Sequence, residues 1–162
     1  MDMNINAKSE IRLSTSSLDD YIKDLELKKE QILKALPNIA TRIAEEAGKD
    51  TYKSVETVPA EMQGETAVAY ARSTNEIDTY KEFGTGIVGS QSPHVDDALA
   101  KSGWKYDVNK HGEKGWIYPK EDGSFGWTKG QPAQKKFYQA SQRAKEKAPE
   151  IAKEEFQKYK NS

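Results

Sequence analysis

Apolar residues at Leu18, Tyr21, Ile22, Leu25, Ile32, Leu36, Ile39, Ala40, Ile43, Ala44 and Ala47 recur with helical spacing, a period near 3.6 that lines one face of an α-helix. This stripe constrains the fold more than any other feature of the chain. It predicts a helix opening at Ser17, which precedes Leu18, with Asp19 and Asp20 in the first turn. Gly48 is the predicted stop, although the pattern runs on towards Lys53. At 1.5 Å per residue such a helix is roughly 45 Å long. Pro37 lies inside it, removes one backbone hydrogen bond and crowds the Leu33 carbonyl, which predicts a kink or a break. A second stripe, Phe137, Ala140, Ala144, Ala148, Ile151, Ala152 and Phe156, predicts another long helix from Ala133 to about Tyr159, bent at Pro149.

Between the stripes the period changes. Residues 66–72 read as a strand, Ser73-Thr74-Asn75 as a turn, and residues 76–83 as a second strand alternating polar and apolar. Together they predict an antiparallel hairpin. Residues 87–93 read as a loop, and Ser92-Pro93 as a cap and first position of a short helix reaching about Lys101, ended by Gly103. Residues 104–108 and 116–118 predict a second hairpin around a polar, glycine-bearing turn, followed by another turn at residues 121–124. The expected fold is therefore α+β. A small antiparallel sheet of two hairpins is packed by long N-terminal and C-terminal helices plus one short helix. Residues 1–16 are expected to be a flexible arm, and residues 17–162 one domain.

The 162 residues suit one core. Hydrophobic residues make up 35% and charged residues 31%, which points to exposed helices or to a core completed by neighbouring subunits. Residues 129–162 carry nine Lys+Arg against four Asp+Glu, whereas residues 1–128 carry sixteen against twenty-two. A charge division of this kind can set the register between adjacent subunits. With no cysteine there is no disulfide framework and no thiolate ligand or nucleophile. The first residues lack the basic-then-apolar pattern of a signal peptide, and no apolar run approaches the roughly 20 residues that span a bilayer. The expectation is a soluble chain made in the cytoplasm, with no membrane partner.

No arrangement of side chains suggests catalysis. His94 and His111 are the two histidines, both in predicted loops and outside any metal-ligand spacing, so each reads as a surface histidine without a role. Asp96-Asp97 and Glu121-Asp122 are adjacent in sequence, and adjacent residues on a helix do not face one another. No enzymatic activity, metal or cofactor is expected. The basic C-terminal helix, with Lys135, Lys136, Arg143, Lys145, Lys147 and Lys153, allows a second reading as a nucleic-acid-binding element. Glu146, Glu150, Glu154 and Glu155 interleave with those cations and weaken it. Trp104, Tyr106, Trp116, Tyr118, Phe125 and Trp127 cluster in one region and read either as the core of a small sheet or as a protein–protein interface.

Two short glycine-bearing segments remain. Glu82-Phe83-Gly84-Thr85-Gly86 ends the alternating run, and Gly130-Gln131-Pro132-Ala133 opens the C-terminal helix. Neither has the spacing of a phosphate-binding loop. Glycine serves where φ is positive or where another chain segment passes close by, so at least one of Gly84 and Gly86 is expected at positive φ. In this order, with a long helix before them and the aromatic Phe137 after them, the segments resemble the minor tail-component or tail-completion (head–tail connector) proteins of long-tailed bacteriophages. The resemblance spans about residues 18–157. The chain departs from that family in having Lys135-Lys136 where members often carry proline, and in a long insertion between Gly86 and Trp127. The resemblance implies a structural virion protein, assembled in the host cytoplasm, forming a homo-oligomeric and commonly hexameric ring at the head–tail junction. It implies contacts with the connector or head-closure protein and with the tail-tube or tail-terminator protein, and DNA passing through the ring without specific binding. Glu82, Phe83, Gly84, Thr85, Gly86, Trp104, Trp116, Trp127, Gly130, Gln131 and Pro132 are the candidate turn and subunit-contact residues.

Overall fold

The first stripe forms helix α1, Thr15–Gly48, and the last forms helix α4, Lys136–Lys160. A computed structural model describes residues 15–95, 103–107, 110–120 and 122–160. The expected N-terminal arm lies mostly outside the described residues. Helix α1 continues through Pro37, so the expected break does not occur, and α4 likewise continues through Pro149. The C-terminal half of α1 packs along α4 and against the first hairpin, and this tertiary packing outweighs the local cost of proline. The buried residues at this junction are small: Ala35 and Ala44 on α1, Ala140 and Ala144 on α4, joined by Ile151. Small side chains let the two helices approach closely. Arg42 bonds Glu154 and Glu155 across the pair, Lys147 bonds Glu46, and the Asn38 amide donates to the Tyr159 hydroxyl. No large side chain is fully buried among the described residues, so the core is thin.

The first hairpin differs from the expected one. Strand β2, Thr66–Ser73, pairs antiparallel with β1, Val55–Gln63, in the register Thr57↔Ala71 and Gln63↔Thr66. Gly64, at φ 66°, occupies the first position of the two-residue turn, as a II′ turn requires. Pro59 interrupts β1, but the ladder shifts register between Val58 and Glu61, and the Ala60 N–H donates to Thr41 Oγ1 instead. A bulge of this kind is where a strand tolerates proline.

Residues 76–83, expected as the partner strand, form helix α2, Glu76–Phe83. The Asn75 side chain accepts from the Ile77 N–H and caps it, and Glu76 and Asp78 lie in its first turn. Ile77, Tyr80 and Phe83 are three apart, which suits a helix better than the period of two read from the sequence. Helix α3, Gly86–Gln91, replaces the expected loop. Ser92 closes this helix, and residues 93–95 are not helical. The remainder of the helix expected to follow Pro93 falls at residues 96–102, outside the described residues.

The second hairpin is also shifted. Strand β3, Trp116–Pro119, pairs with β4, Phe125–Thr128, around the turn in which Asp122 Oδ1 accepts from the Ser124 N–H. Residues 104–107 are not a strand, and the Trp104 indole is engaged instead with the Gly84 carbonyl. The architecture is α+β as expected, with two separate two-stranded antiparallel sheets rather than one sheet of two hairpins. The two residues of β5, Gly130–Gln131, belong to neither sheet.

Candidate functional site

The two glycine segments cross. Thr85 bridges Gln131 and Gly86 bridges Gly130, both antiparallel. Gly84, Gly86 and Gly130 all have positive φ, at 80°, 61° and 105°. The reason is contact as well as curvature. A Cβ on Gly84 would sit 2.7 Å from the Ala133 nitrogen and 2.8 Å from the Gln131 oxygen. A Cβ on Gly130 would overlap the Thr85 carbonyl, and one on Gly86 the Lys129 carbonyl. Main chain lies against main chain at a spacing that leaves no room for a side chain. Around the crossing the Gly86 N–H donates to the Tyr106 carbonyl at 2.6 Å and the Val88 N–H to the Lys129 carbonyl at 3.4 Å. Thr128 Oγ1 accepts from the Gly130 N–H and donates to the Gly130 carbonyl.

Immediately beside the crossing, α2 and α4 cap each other. Phe83 ends α2, so the segment read as a strand end is a helix end with Gly84 as its cap. The Gln134 and Lys135 N–H groups donate to the Lys81 and Glu82 carbonyls, at 2.8 and 3.4 Å. In return the Glu82 carboxylate enters the first turn of α4. Its Oε2 accepts from the Phe137 N–H and its Oε1 from the Tyr138 N–H, both at 2.9 Å. Helix α4 begins after Lys135, whose side chain offers no acceptor, and Glu82 supplies the acceptor that a cap residue normally provides. A carboxylate at that end also complements the helix dipole.

Glu82 is 7% exposed and has two further partners. The Tyr52 hydroxyl donates to its Oε2 at 2.9 Å, and His94 Nε2 lies 3.3 Å from its Oε1. His94 is therefore buried, at 4% exposure, and not a surface residue. Its ring packs edge-on against Tyr138 and tilted against Phe83. Phe83, half-buried, stacks on Trp104 at 5.1 Å, and the Trp104 indole N–H donates to the Gly84 carbonyl at 3.0 Å. Next to this group Asp78 is buried against the hydroxyls of Ser54 and Ser73 and near Lys81. Burial opposes its ionisation, but the two hydroxyls and Lys81 outweigh burial and hold its carboxyl below the usual value.

The structure thus brings together Glu82, Phe83, Gly84, Thr85, Gly86, Trp104, Gly130, Gln131 and Pro132. Trp116 stands on the inner face of β3, where Ile77, Tyr80, Trp116 and Tyr118 flank an open groove of about 480 Å³ over Thr85 and Gln131. Trp127 is exposed on the opposite face of that hairpin and takes no part in the crossing. Tyr52, Asp78 and His94 complete the site and carry no recognisable sequence signal, because each lies outside any motif spacing. Among the described residues no group of His, Asp and Glu is arranged to hold a metal ion. No helix of the described residues is long and apolar enough to cross a membrane.

Burial, followed by donation to Glu82, pushes the Tyr52 phenol well above its ordinary value of 10. The neutral phenol is the form the fold prefers. Its stabilisation is complete below pH 10 and drains away above it, as the unfolded chain ionises first. Wild-type stability should fall by about 1.4 kcal/mol per pH unit more steeply than that of Tyr52→Phe above pH 10. Urea midpoints at pH 9 and 11 measure the difference, and parallel slopes for the two proteins would contradict it. Asp78 works in the opposite sense. Its depressed pKa contributes stability above the ordinary value of 3.8, and that contribution is lost on acidification below it.

No family model, no curated protein sequence and no solved structure matches this chain.

Proposed function

We propose that this chain is a structural protein of a tailed bacteriophage particle. It forms a homo-oligomeric ring at the head–tail junction that completes the tail or joins it to the connector. The observation that carries the reading is the crossing. The two segments on which the resemblance to tail-completion proteins rests are distant in sequence and meet as Thr85↔Gln131 and Gly86↔Gly130. Their glycines and Glu82 serve one purpose, which is to lock the end of α2 onto the start of α4. This is scaffold chemistry, and it suits a subunit that must hold its shape under load.

A thin core and large exposed apolar side chains also support an assembling subunit. Some cations of α4, among them Arg143 and Lys147 of the set behind the nucleic-acid reading, have partners within the fold. Lys147 bonds Glu46, Lys158 bonds Glu155, and Arg143 donates to the Lys49 carbonyl. Quantitative mass spectrometry of purified particles tests the proposal. It should find a fixed, small copy number, as one cyclic ring requires, and about six for the hexamer that the resemblance implies. Disrupting the gene should leave filled heads and unattached tails. Absence from particles, or on the order of hundreds of copies, contradicts the reading.

A further inference from the structure

Ile77, Tyr80, Trp116 and Tyr118 wall the open groove over the crossing, a space of about 480 Å³. That lies within the roughly 300–1,000 Å³ usual for small-ligand sites. Ile77 and Tyr80 are three apart on α2 and share one face of that helix. Trp116 and Tyr118 are two apart on β3 and share one face of that strand. Thr85 and Gln131 form the floor. They are partners across an antiparallel bridge, so their side chains stand on the same side of it. None of the residues lining the groove carries a charge at neutral pH, although 31% of the chain is charged.

Four polar groups at the groove have no partner in the chain. Among the described residues nothing bonds the Thr85 hydroxyl, the Gln131 side-chain amide, the Trp116 indole N–H or the Tyr118 hydroxyl. Thr85 is the telling one. It is only 6% exposed, and a buried hydroxyl is normally hydrogen-bonded. No fully enclosed side-chain oxygen or nitrogen of the described residues lacks a partner. The Thr85 oxygen is therefore open to a neighbour from outside, and the groove is where Thr85 meets that space. The floor is also fixed. Two bridges join its main-chain segments, and Thr128 Oγ1 holds the Gly130 main chain at both its N–H and its carbonyl. A site ordered in advance lowers the cost of binding.

We propose that this groove is a binding site for an uncharged saccharide. The inference goes beyond the ring reading and does not depend on it. Three features select the ligand class. The uncharged lining offers nothing to neutralise phosphates, which a nucleic acid requires. The four unpartnered groups include both donors and acceptors, and a sugar hydroxyl likewise gives and takes a hydrogen bond. The rings of Tyr80, Trp116 and Tyr118 supply flat faces of negative potential, which suit the polarised C–H groups on the apolar face of a sugar ring. His111 stacks on one face of the Trp116 ring at 5.8 Å and fixes the plane of that wall. A proline-rich segment also favours aromatic grooves. Its backbone presents carbonyl acceptors almost alone, however, and gives the Gln131 carbonyl oxygen nothing to accept from.

A glycan array probed with the labelled full-length chain tests this, and retention on neutral glycans is expected. Titration calorimetry with the best-retained glycan then compares variants. Thr85→Val removes the hydroxyl at nearly constant shape. Nothing in the chain bonds that hydroxyl, so the urea midpoint should match or exceed wild type while affinity falls about tenfold, the effect of one lost hydrogen bond. Tyr118→Ala removes a stacking face at a position 40% exposed and should weaken binding at least about tenfold. Phe125→Ala, on the outer face of the same hairpin, should bind as wild type does. Retention of no neutral glycan overturns the inference, as does retention on anionic glycans alone. Binding of decaproline in place of glycans overturns it in favour of a peptide site. Glycan binding that survives both groove variants puts the site elsewhere and overturns this assignment. The copy number in particles, which tests the ring, is separate from all of these outcomes.

Discussion

Gly130→Ala should destabilise the protein by about 4 kcal/mol or more, the largest effect expected of any single methyl addition to this chain. Two costs combine. The backbone sits at φ 105°, a conformation that costs an L-residue about 1–3 kcal/mol. The new Cβ would also overlap the Thr85 carbonyl, and overpacking against main chain costs about 1–3 kcal/mol or more, because main chain cannot rotate away. Gly123→Ala is the control. It too has positive φ, 79°, but nothing lies within 4 Å of its added carbon. It should cost about 1–2 kcal/mol, the backbone penalty alone. Urea midpoints of the two variants separate curvature from contact. Equal losses would mean that the segments do not touch.

Glu82→Ala should cost about 3–5 kcal/mol, the range seen when one member of a buried charged network is removed. It leaves the Tyr52 hydroxyl and the Phe137 and Tyr138 N–H groups without their acceptor, and each unsatisfied buried donor costs about 1–3 kcal/mol. Glu82→Gln keeps one carbonyl oxygen but turns an N–H₂ towards the other donors, so a loss of about 2 kcal/mol is expected. Amide exchange at Phe137 and Tyr138 should quicken in both variants while exchange in β1–β2 is unaffected. A Tyr52→Phe, Glu82→Ala cycle should show coupling, since the two share a bond. A loss under about 1 kcal/mol for Glu82→Ala would mean that α4 does not depend on this cap.

The long elements are legible in the sequence because their stripes repeat many times. Eleven apolar positions define α1, and no strand pattern competes with them. Helix α2 is not legible as a helix, because eight residues hold barely two turns and an Ile–Tyr–Phe set with polar spacers imitates a strand. Strand β1 is hidden by Pro59, which usually argues against a strand and here sits at a bulge. The positive φ of Gly84 and Gly86 follows from residue type, since only glycine removes the steric barrier. That the two glycine segments touch does not follow from residue type. Glu82 is a candidate through its segment, yet its role depends on where α4 begins, and Tyr52 and His94 reach it through folding alone.

The crossing is the feature on which the rest depends, and a pair of cysteines tests it directly, since the chain has none of its own. Antiparallel bridge partners lie at Cα separations of about 4.5–5.5 Å, within reach of a disulfide. Thr85→Cys with Gln131→Cys, refolded with oxidised glutathione, should close an intrachain bond, seen by intact mass and thiol titration. Thr57→Cys with Ala71→Cys, partners in β1–β2, is the positive control. Closure of both pairs within one chain is the predicted result. Closure of the control while the two thiols introduced at the crossing stay free, or join only between chains, would contradict the account.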